Sequence, residues 1–138
     1  MTQTIPAGFE MLDDDGRCFD MIGPVYTKRE TPDSDLIFGL PAERRHCNRR
    51  DVVQGGILVM LADHTLALAC WRAADDSPCA TISINTDFIG PARAGDWIEA
   101  RAEVTKITRS LVFGSSQVFA NDKLILSANG VWKRLGTG

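Results

Sequence analysis

A single carboxylate lies in the most apolar stretch of the chain, eight residues after the first of two adjacent glycines. The glycines are Gly55 and Gly56, and the carboxylate is Asp63, within the apolar residues 57–71. A carboxylate among apolar side chains loses hydration, so it needs a partner or a function. Glycine lets a ligand approach the backbone closely, and free amides at a helix start carry the positive end of the helix dipole. An amide donor combined with such a carboxylate indicates acyl-transfer chemistry.

A long helix that starts at the two glycines would position both groups. Its apolar residues cover nearly the whole circumference, which predicts burial on most sides. On one straight helix, Gly55 and Asp63 are separated by about 12 Å along the axis. An amide donor and an attacking group must each lie about 3 Å from neighbouring atoms of one carbonyl. We therefore expect each site to combine Gly55 of one subunit with Asp63 of its partner, in a homodimer or a dimer of dimers.

The sequence after the helix is organised as four strands separated by turns. They are expected at residues 80–89, 97–107, 111–120 and 123–134. Strands that follow one another through short turns are usually antiparallel neighbours. In the first of them, simple alternation places Thr81, Ser83 and Asn85 on one face and Ile82 and Ile84 on the other.

The part before the long helix contains weaker signals. We predict a short helix near residues 9–12, a strand over residues 19–28 that Pro24 weakens, and an extended piece over residues 36–40. The order of elements predicts an α+β fold with one long central helix wrapped by an antiparallel sheet. We expect a single domain over residues 1–138, with residues 1–18 as an N-terminal extension.

Composition excludes several classes of protein. The net charge of −3 argues against a nucleic-acid-binding protein, which would usually be basic. The apolar run is too short for a confident membrane span, and we find no signal peptide, so we expect a cytoplasmic protein. The four cysteines show no CxxC spacing, which favours free thiols over a zinc site.

Four short motifs resemble those of the hotdog-fold thioesterase superfamily, most closely its PaaI-like (phenylacetic acid degradation type) acyl-CoA thioesterases. They are Asn48, Gln54-Gly55-Gly56, Leu61-Ala62-Asp63 and the loop Pro91-Ala92-Arg93-Ala94-Gly95-Asp96. Their order and spacing match over roughly residues 20–134. The resemblance implies a hotdog fold and hydrolysis of an acyl-CoA thioester by a homo-oligomer without a metal or redox cofactor.

The resemblance also implies catalytic roles. Asp63 would act as nucleophile or general base, and the Gly55 amide would polarise the thioester carbonyl. Asn48 would position the substrate or a water molecule. Thr81 would assist Asp63, and Ser83, placed on the same strand face by alternation, is its rival for that role.

Substrate contacts are expected from the neighbouring positions Gln54, Gly56, Ser83 and His64. Gln54 stands where the family has His. A neutral Gln can still form hydrogen bonds, but it cannot titrate near pH 7, so acid–base chemistry at this position is excluded. His64 is about 100° around the helix from Asp63, which favours a position facing a strand or an interface.

Two other functions stay open at this point. The first is a non-catalytic acyl-CoA-binding or regulatory protein, because Gln54 replaces the family's His. The second is a hotdog enoyl-CoA hydratase, although the adjacent Asp63 and His64 lack the expected spacing. Several arginines could bind the phosphates of CoA or simply lie in solvated loops: Arg44, Arg45, Arg49, Arg50, Arg93 and Arg109.

Overall fold

One long helix packs against a seven-stranded antiparallel sheet in the computed structural model, which describes residues 4–136. The strands are β1 (Glu10–Met11), β2 (Tyr26–Lys28), β3 (Ile37–Pro41), β4 (Cys79–Phe88), β5 (Trp97–Ile107), β6 (Leu111–Ala120) and β7 (Lys123–Arg134). The helices are α1 (Cys18–Ile22) and α2 (Gly55–Ala73), and Arg44–His46 forms one 3₁₀ turn. The predicted α+β hotdog architecture is confirmed.

The strand order in the sheet is β1-β2-β3-β5-β6-β7-β4. Helix α2 connects β3 in one half of the sheet to β4 at the far edge, so it crosses the sheet face. Strand β4 pairs with β7 on one side, and its other side is an edge among the described strands. The end of β4 returns to the start of α2, where the ring of Phe88 lies beside Gly55.

Helix α2 is the core helix of the domain. Its buried residues are Leu58, Leu61, Ala62, Thr65, Leu66, Ala69 and Cys70. By length and composition alone it could cross a membrane, but its apolar face packs against the sheet. Its remaining face is only partly covered, and Met60, Asp63 and Ala67 are half-buried. The sheet of one protomer therefore leaves part of the apolar surface of α2 uncovered.

The N-terminal predictions are wrong in two places. Residues 9–12 contain the strand β1 rather than a helix, and residues 19–22 of the predicted first strand belong to α1. Burial decides the second case, because Phe19 is only 3% exposed and packs against Phe38. The carboxylate of Asp14 accepts the Phe19 N–H at 2.8 Å and supports the helix start. Pro24 lacks an N–H for sheet pairing, and β2 begins only at Tyr26.

The bounds of the last three strands are those predicted from the sequence. The two-residue connection between β6 and β7 is Asn121-Asp122, with φ values of 47° and 70°. Positive φ at both central positions is the geometry of a type I′ hairpin, which Asn and Asp tolerate better than most residues. This turn holds the register of the strands on which α2 lies.

Candidate active site

A β-bulge near the start of β4 turns one side chain toward the helix. Thr81 lies opposite Trp132, whereas Ser83 lies opposite its neighbour Val131, so β4 contains one extra residue here. Beyond the bulge, Ile84 packs against the core, and Ser83 lines a groove on the outer face of the sheet. A bulge re-aims the side chains that precede it. Thr81 and Ser83 therefore lie on opposite faces of β4.

The predicted shared face of Thr81 and Ser83 is thus wrong. Simple alternation assumes a regular strand, and the extra residue at the bulge shifts the phase by one position. Ser83 instead shares its outer groove with Asn85, Phe113 and Val131. It is not a rival of Thr81 for assisting Asp63 within one chain.

Thr81 and Asp63 form the central contact of the site. Thr81 Oγ1 donates a hydrogen bond to Asp63 Oδ1 at 3.0 Å, which joins β4 to the middle of α2. The Asp63 side chain lies on the half-buried face of the helix, where it is partly accessible to solvent. A hydrogen bond to one carboxylate oxygen fixes the orientation of the group, as a catalytic carboxylate requires.

The two glycines at the start of α2 have different surroundings. A Cβ atom at Gly55 would lie 2.9 Å from Cε1 of Phe88, whereas at Gly56 it would meet no described atom within 4 Å. Gln54 is the residue that precedes the helix, and its N–H donates to the carbonyl of His46 at 2.9 Å. The first amides of a helix have no acceptor within the helix, and they carry its positive end. The site therefore offers donors for an oxyanion.

Asn48 shapes the loop that leads into α2. Its Oδ1 accepts the N–H of Arg50 at 2.9 Å, and its own N–H donates to the carbonyl of Val52 at 2.9 Å. Asp51 completes this turn with a φ of 61°. The oxygen of the Asn48 side chain is thus engaged in the loop, so any hydrogen bond that it donates to a substrate comes from Nδ2.

His46 also holds the loop that leads into α2. Nδ1 accepts the N–H of Glu43 at 2.9 Å, and Nε2 lies 2.5 Å from the carbonyl oxygen of Ile22. A neutral ring with its proton on Nε2 satisfies both bonds. Burial lowers the pKa of His46, and the neighbouring Arg45 also lowers it, while the bond to Ile22 and Glu43 oppose the shift. The sequence does not predict this structural role of His46, because a His in a polar loop carries no pattern that indicates its hydrogen-bond partners.

We expect protein stability to fall as the pH drops below about 6.5, in part because of His46. The folded-state pKa is below the ordinary value of 6.5, so the unfolded chain binds the proton first. The stabilising contribution of neutral His46 is present in full above about pH 6.5 and decreases below that pH. Urea unfolding of the wild type and of His46→Gln between about pH 7.5 and about pH 5.5 measures this, since other groups titrate in both proteins. A variant with the same pH slope as the wild type would refute the prediction.

His64 points away from the carboxylate contact. Its ring packs edge-on against the ring of Phe19, with 4.4 Å between the ring centroids, and its centroid lies 5.4 Å from that of Phe38. Burial lowers its pKa, against the opposing effect of the carboxylates of Asp14 and Asp63. The predicted orientation toward a strand agrees with these contacts, and a role in substrate binding stays a prediction.

Cys70 and Arg45 have structural surroundings. Burial raises the pKa of Cys70 to about 12, and Cys70 is a core residue as predicted. A thiol with a raised pKa is a poor nucleophile.

Arg45 forms an ion pair with Glu43 at 2.8 Å and donates to the carbonyls of Met21 and Ile22, so it is a loop residue. Within residues 4–136, no three His, Cys, Asp or Glu side chains are grouped closely enough to hold a metal ion.

The protomer brings together two pairs of groups. Asp63 meets Thr81, and Gly55 meets Phe88, whose place beside the helix start sequence reasoning missed. Gly55 and Asp63 both lie in the single continuous helix α2. They are therefore about 12 Å apart along the helix axis, as expected.

Comparison with known proteins identifies relatives of this arrangement. The model of the Thioesterase superfamily matches residues 51–126, which run from the loop before α2 into β7. The chain is 31% identical to PA0474 of Pseudomonas aeruginosa, a candidate esterase, over 93% of this chain and 96% of that protein. It is 27% identical to mouse acyl-coenzyme A thioesterase 13, over 70% of this chain and 69% of that protein.

A solved structure shares most of the fold. It is a variant of the phenylacetic acid degradation protein PaaI from Thermus thermophilus. The two chains superpose with a TM-score of 0.75 and are 25% identical, over 84% of this chain and 96% of the other. The helix and sheet described above are therefore the common framework of both proteins.

Proposed function

The chain belongs to the thioesterase superfamily, and we propose that it hydrolyses acyl-CoA thioesters to a free acid and CoA at a site built around Asp63. The resemblance to PaaI-like hotdog thioesterases is confirmed. The observation that carries the proposal is the hydrogen bond between Thr81 and Asp63, which fixes a carboxylate on the partly open face of α2. Hydrolysis needs water as the only co-reactant. The cytoplasmic location stays a prediction.

In the proposed reaction, Asp63 drives the attack on the thioester carbonyl. As a general base it takes a proton from water while the water oxygen bonds to the carbonyl carbon. The tetrahedral intermediate then collapses, the C–S bond breaks, and the proton passes from Asp63 to the CoA thiolate. As a nucleophile, Asp63 would instead form a mixed anhydride that water cleaves in a second step. Thr81 holds the carboxylate oriented in either case.

The developing oxyanion needs donors, and the helix start supplies them. The Gly55 amide lies at the positive end of α2, where it would donate to the carbonyl oxygen. Asn48 Nδ2 would position the substrate or water from the preceding loop. Gly56 leaves the approach open, and Gln54 would hold the loop by its backbone bond to His46.

Two protomers would complete each site, as a homodimer. Gly55 and Asp63 of one helix are too far apart to contact one carbonyl, because about 12 Å of helix axis separates them. Two antiparallel helices related by a two-fold axis place Asp63 of one beside Gly55 of the other. The half-buried face of α2 that carries Asp63, and the edge strand β4 with its exposed Ile82, support this assembly.

The test is release of free CoA thiol from a panel of acyl-CoAs by the purified protein. We expect steady-state turnover with at least one member. Gln54 keeps a second function in view, a non-catalytic acyl-CoA-binding protein, which would bind the same panel by calorimetry without releasing thiol. Loss of the conjugated enoyl-thioester absorbance without release of thiol would instead identify a hydratase.

Gln54→His should retain at least part of the thioesterase activity. The backbone of residue 54 makes the loop contacts, and its side chain is exposed, so His is expected to fit. Steady-state kinetics on the best acyl-CoA measure the effect, and circular dichroism checks that the variant is folded. Complete inactivation of a folded variant would show a specific role for the Gln54 side chain.

A further inference from the structure

The aromatic ring of Phe88, at the end of β4, lies over the start of α2 although 58% of the residue is exposed. A Cβ atom at Gly55 would be 2.9 Å from Cε1 and 3.1 Å from Cζ of this ring. The first distance is shorter than a real Cβ contact and the second is tighter than most, so the edge of the ring fills the space that a side chain at residue 55 would need. Phe88 is therefore an apolar wall beside the amide of Gly55.

A second side of the helix start, about 100° around the axis from Gly55, is open. A Cβ atom at Gly56 would meet no described atom within 4 Å. Within one protomer, a carbonyl held by the Gly55 amide would thus have the ring on one side and free space on another. The CoA part of the substrate is large and polar and has to reach solvent, which the open side allows. The acyl group then lies against Phe88.

We propose that Phe88 determines acyl specificity by limiting the width of the pocket at the carbon next to the carbonyl, in favour of acyl-CoAs that are unbranched there. The proposal rests on the proposed thioesterase function. A carbonyl oxygen about 3 Å from the Gly55 amide brings the adjacent carbon into van der Waals range of the ring edge. Two hydrogens on that carbon fit beside the ring, whereas a methyl branch needs the volume that the ring occupies.

The experiment compares kcat/KM for butanoyl-CoA and its 2-methyl-branched analogue in the wild type and in Phe88→Ala. A single methyl group in an apolar pocket changes specificity by about tenfold or more. We expect the branched-to-unbranched ratio to rise by about tenfold in Phe88→Ala. The larger ring of Phe88→Trp should lower the same ratio.

Ile89→Ala is the matched control. Ile89 follows Phe88 directly and is 54% exposed, so its truncation removes similar apolar surface from the same strand end. We expect the branched-to-unbranched ratio of kcat/KM for Ile89→Ala to equal that of the wild type. Size-exclusion chromatography with light scattering on all variants shows whether a change in specificity accompanies a change in assembly.

Distinct results overturn the specificity proposal and the proposed function. A wild type that releases thiol from no acyl-CoA refutes the function. An active wild type whose ratio is unchanged in Phe88→Ala refutes the role of Phe88, also if the variant dimerises more weakly. If Phe88→Ala does not fold, Phe88→Leu should raise the ratio in the same direction and Phe88→Trp should lower it. Unchanged ratios in both variants would refute the proposal.

Discussion

Replacing Asp63 by Asn should lower kcat by at least about 10²-fold and leave KM nearly unchanged. Asn retains the size of Asp and an oxygen that can accept the hydrogen bond from Thr81 Oγ1. It cannot take a proton from water or attack a carbonyl at neutral pH. The change therefore removes the reacting group and keeps the geometry. Steady-state thiol release from the best acyl-CoA measures both constants.

The stability of Asp63→Asn separates a catalytic role from a structural one. The carboxylate is half-buried, so neutralising it should cost little stability or increase it. A fall in Tm of more than about 8 °C would mark Asp63 as a structural residue. Asp75→Asn is the control, because it removes one charge beyond the other end of α2, at a φ of 55° that Asn tolerates. An Asp63→Asn enzyme with near wild-type kcat would refute the catalytic assignment.

The regular parts of the fold could be predicted from the sequence because local pattern and burial agree there. In β5, for example, Ile98 and Ala100 are buried while Arg101 is exposed, which is the alternation that the sequence shows. The long helix was equally clear from its apolar run. Its incomplete cover by the sheet follows from the same run, since a helix that is apolar all round has more apolar surface than one sheet covers.

The irregular parts could not be predicted, because distant contacts determine them. Phe19 lies in a helix of five residues that is held by packing against Phe38 and His64. The bulge in β4 depends on pairing with β7, so nothing in β4 itself shows that Thr81 and Ser83 diverge. The family resemblance selected Thr81, and the bulge explains why it reaches Asp63.

The residues of the site also differ in how well the sequence predicts them. Asp63 and Gly55 were identifiable because a carboxylate and two glycines are unexpected in an apolar helix. Phe88 was not, because its pattern is that of an ordinary strand residue and its contact with Gly55 is 33 positions away in the chain. Residues that line a pocket without reacting carry no chemical signature in the sequence, so the structure has to locate them.

Mixing two inactive variants should restore activity if each site is built from two chains. One variant is Asn48→Ala, which damages the Gly55 side of the site, and the other is Asp63→Ala. In a mixed dimer, one site combines both defects and the other has none. Random pairing makes half of the dimers mixed, and each has one intact site of two, so we expect roughly a quarter of wild-type activity. Co-expression with two affinity tags, followed by thiol-release kinetics, gives the measurement.

A same-side pair is the control for this experiment. Mixing Asn48→Ala with Gly55→Val leaves every site with a defect on the Gly55 side, so activity should stay absent. A Val at residue 55 would meet the ring of Phe88, so circular dichroism checks that both variants are folded. The hydrogen bond between Thr81 and Asp63 lies within one chain, so it supplies a second same-side control. Thr81→Ala and Asp63→Ala damage the same half of the site, so they should not rescue each other. Recovery in either same-side pair, or none in well-mixed Asn48→Ala and Asp63→Ala dimers, would refute the two-chain site, and so would an active monomer.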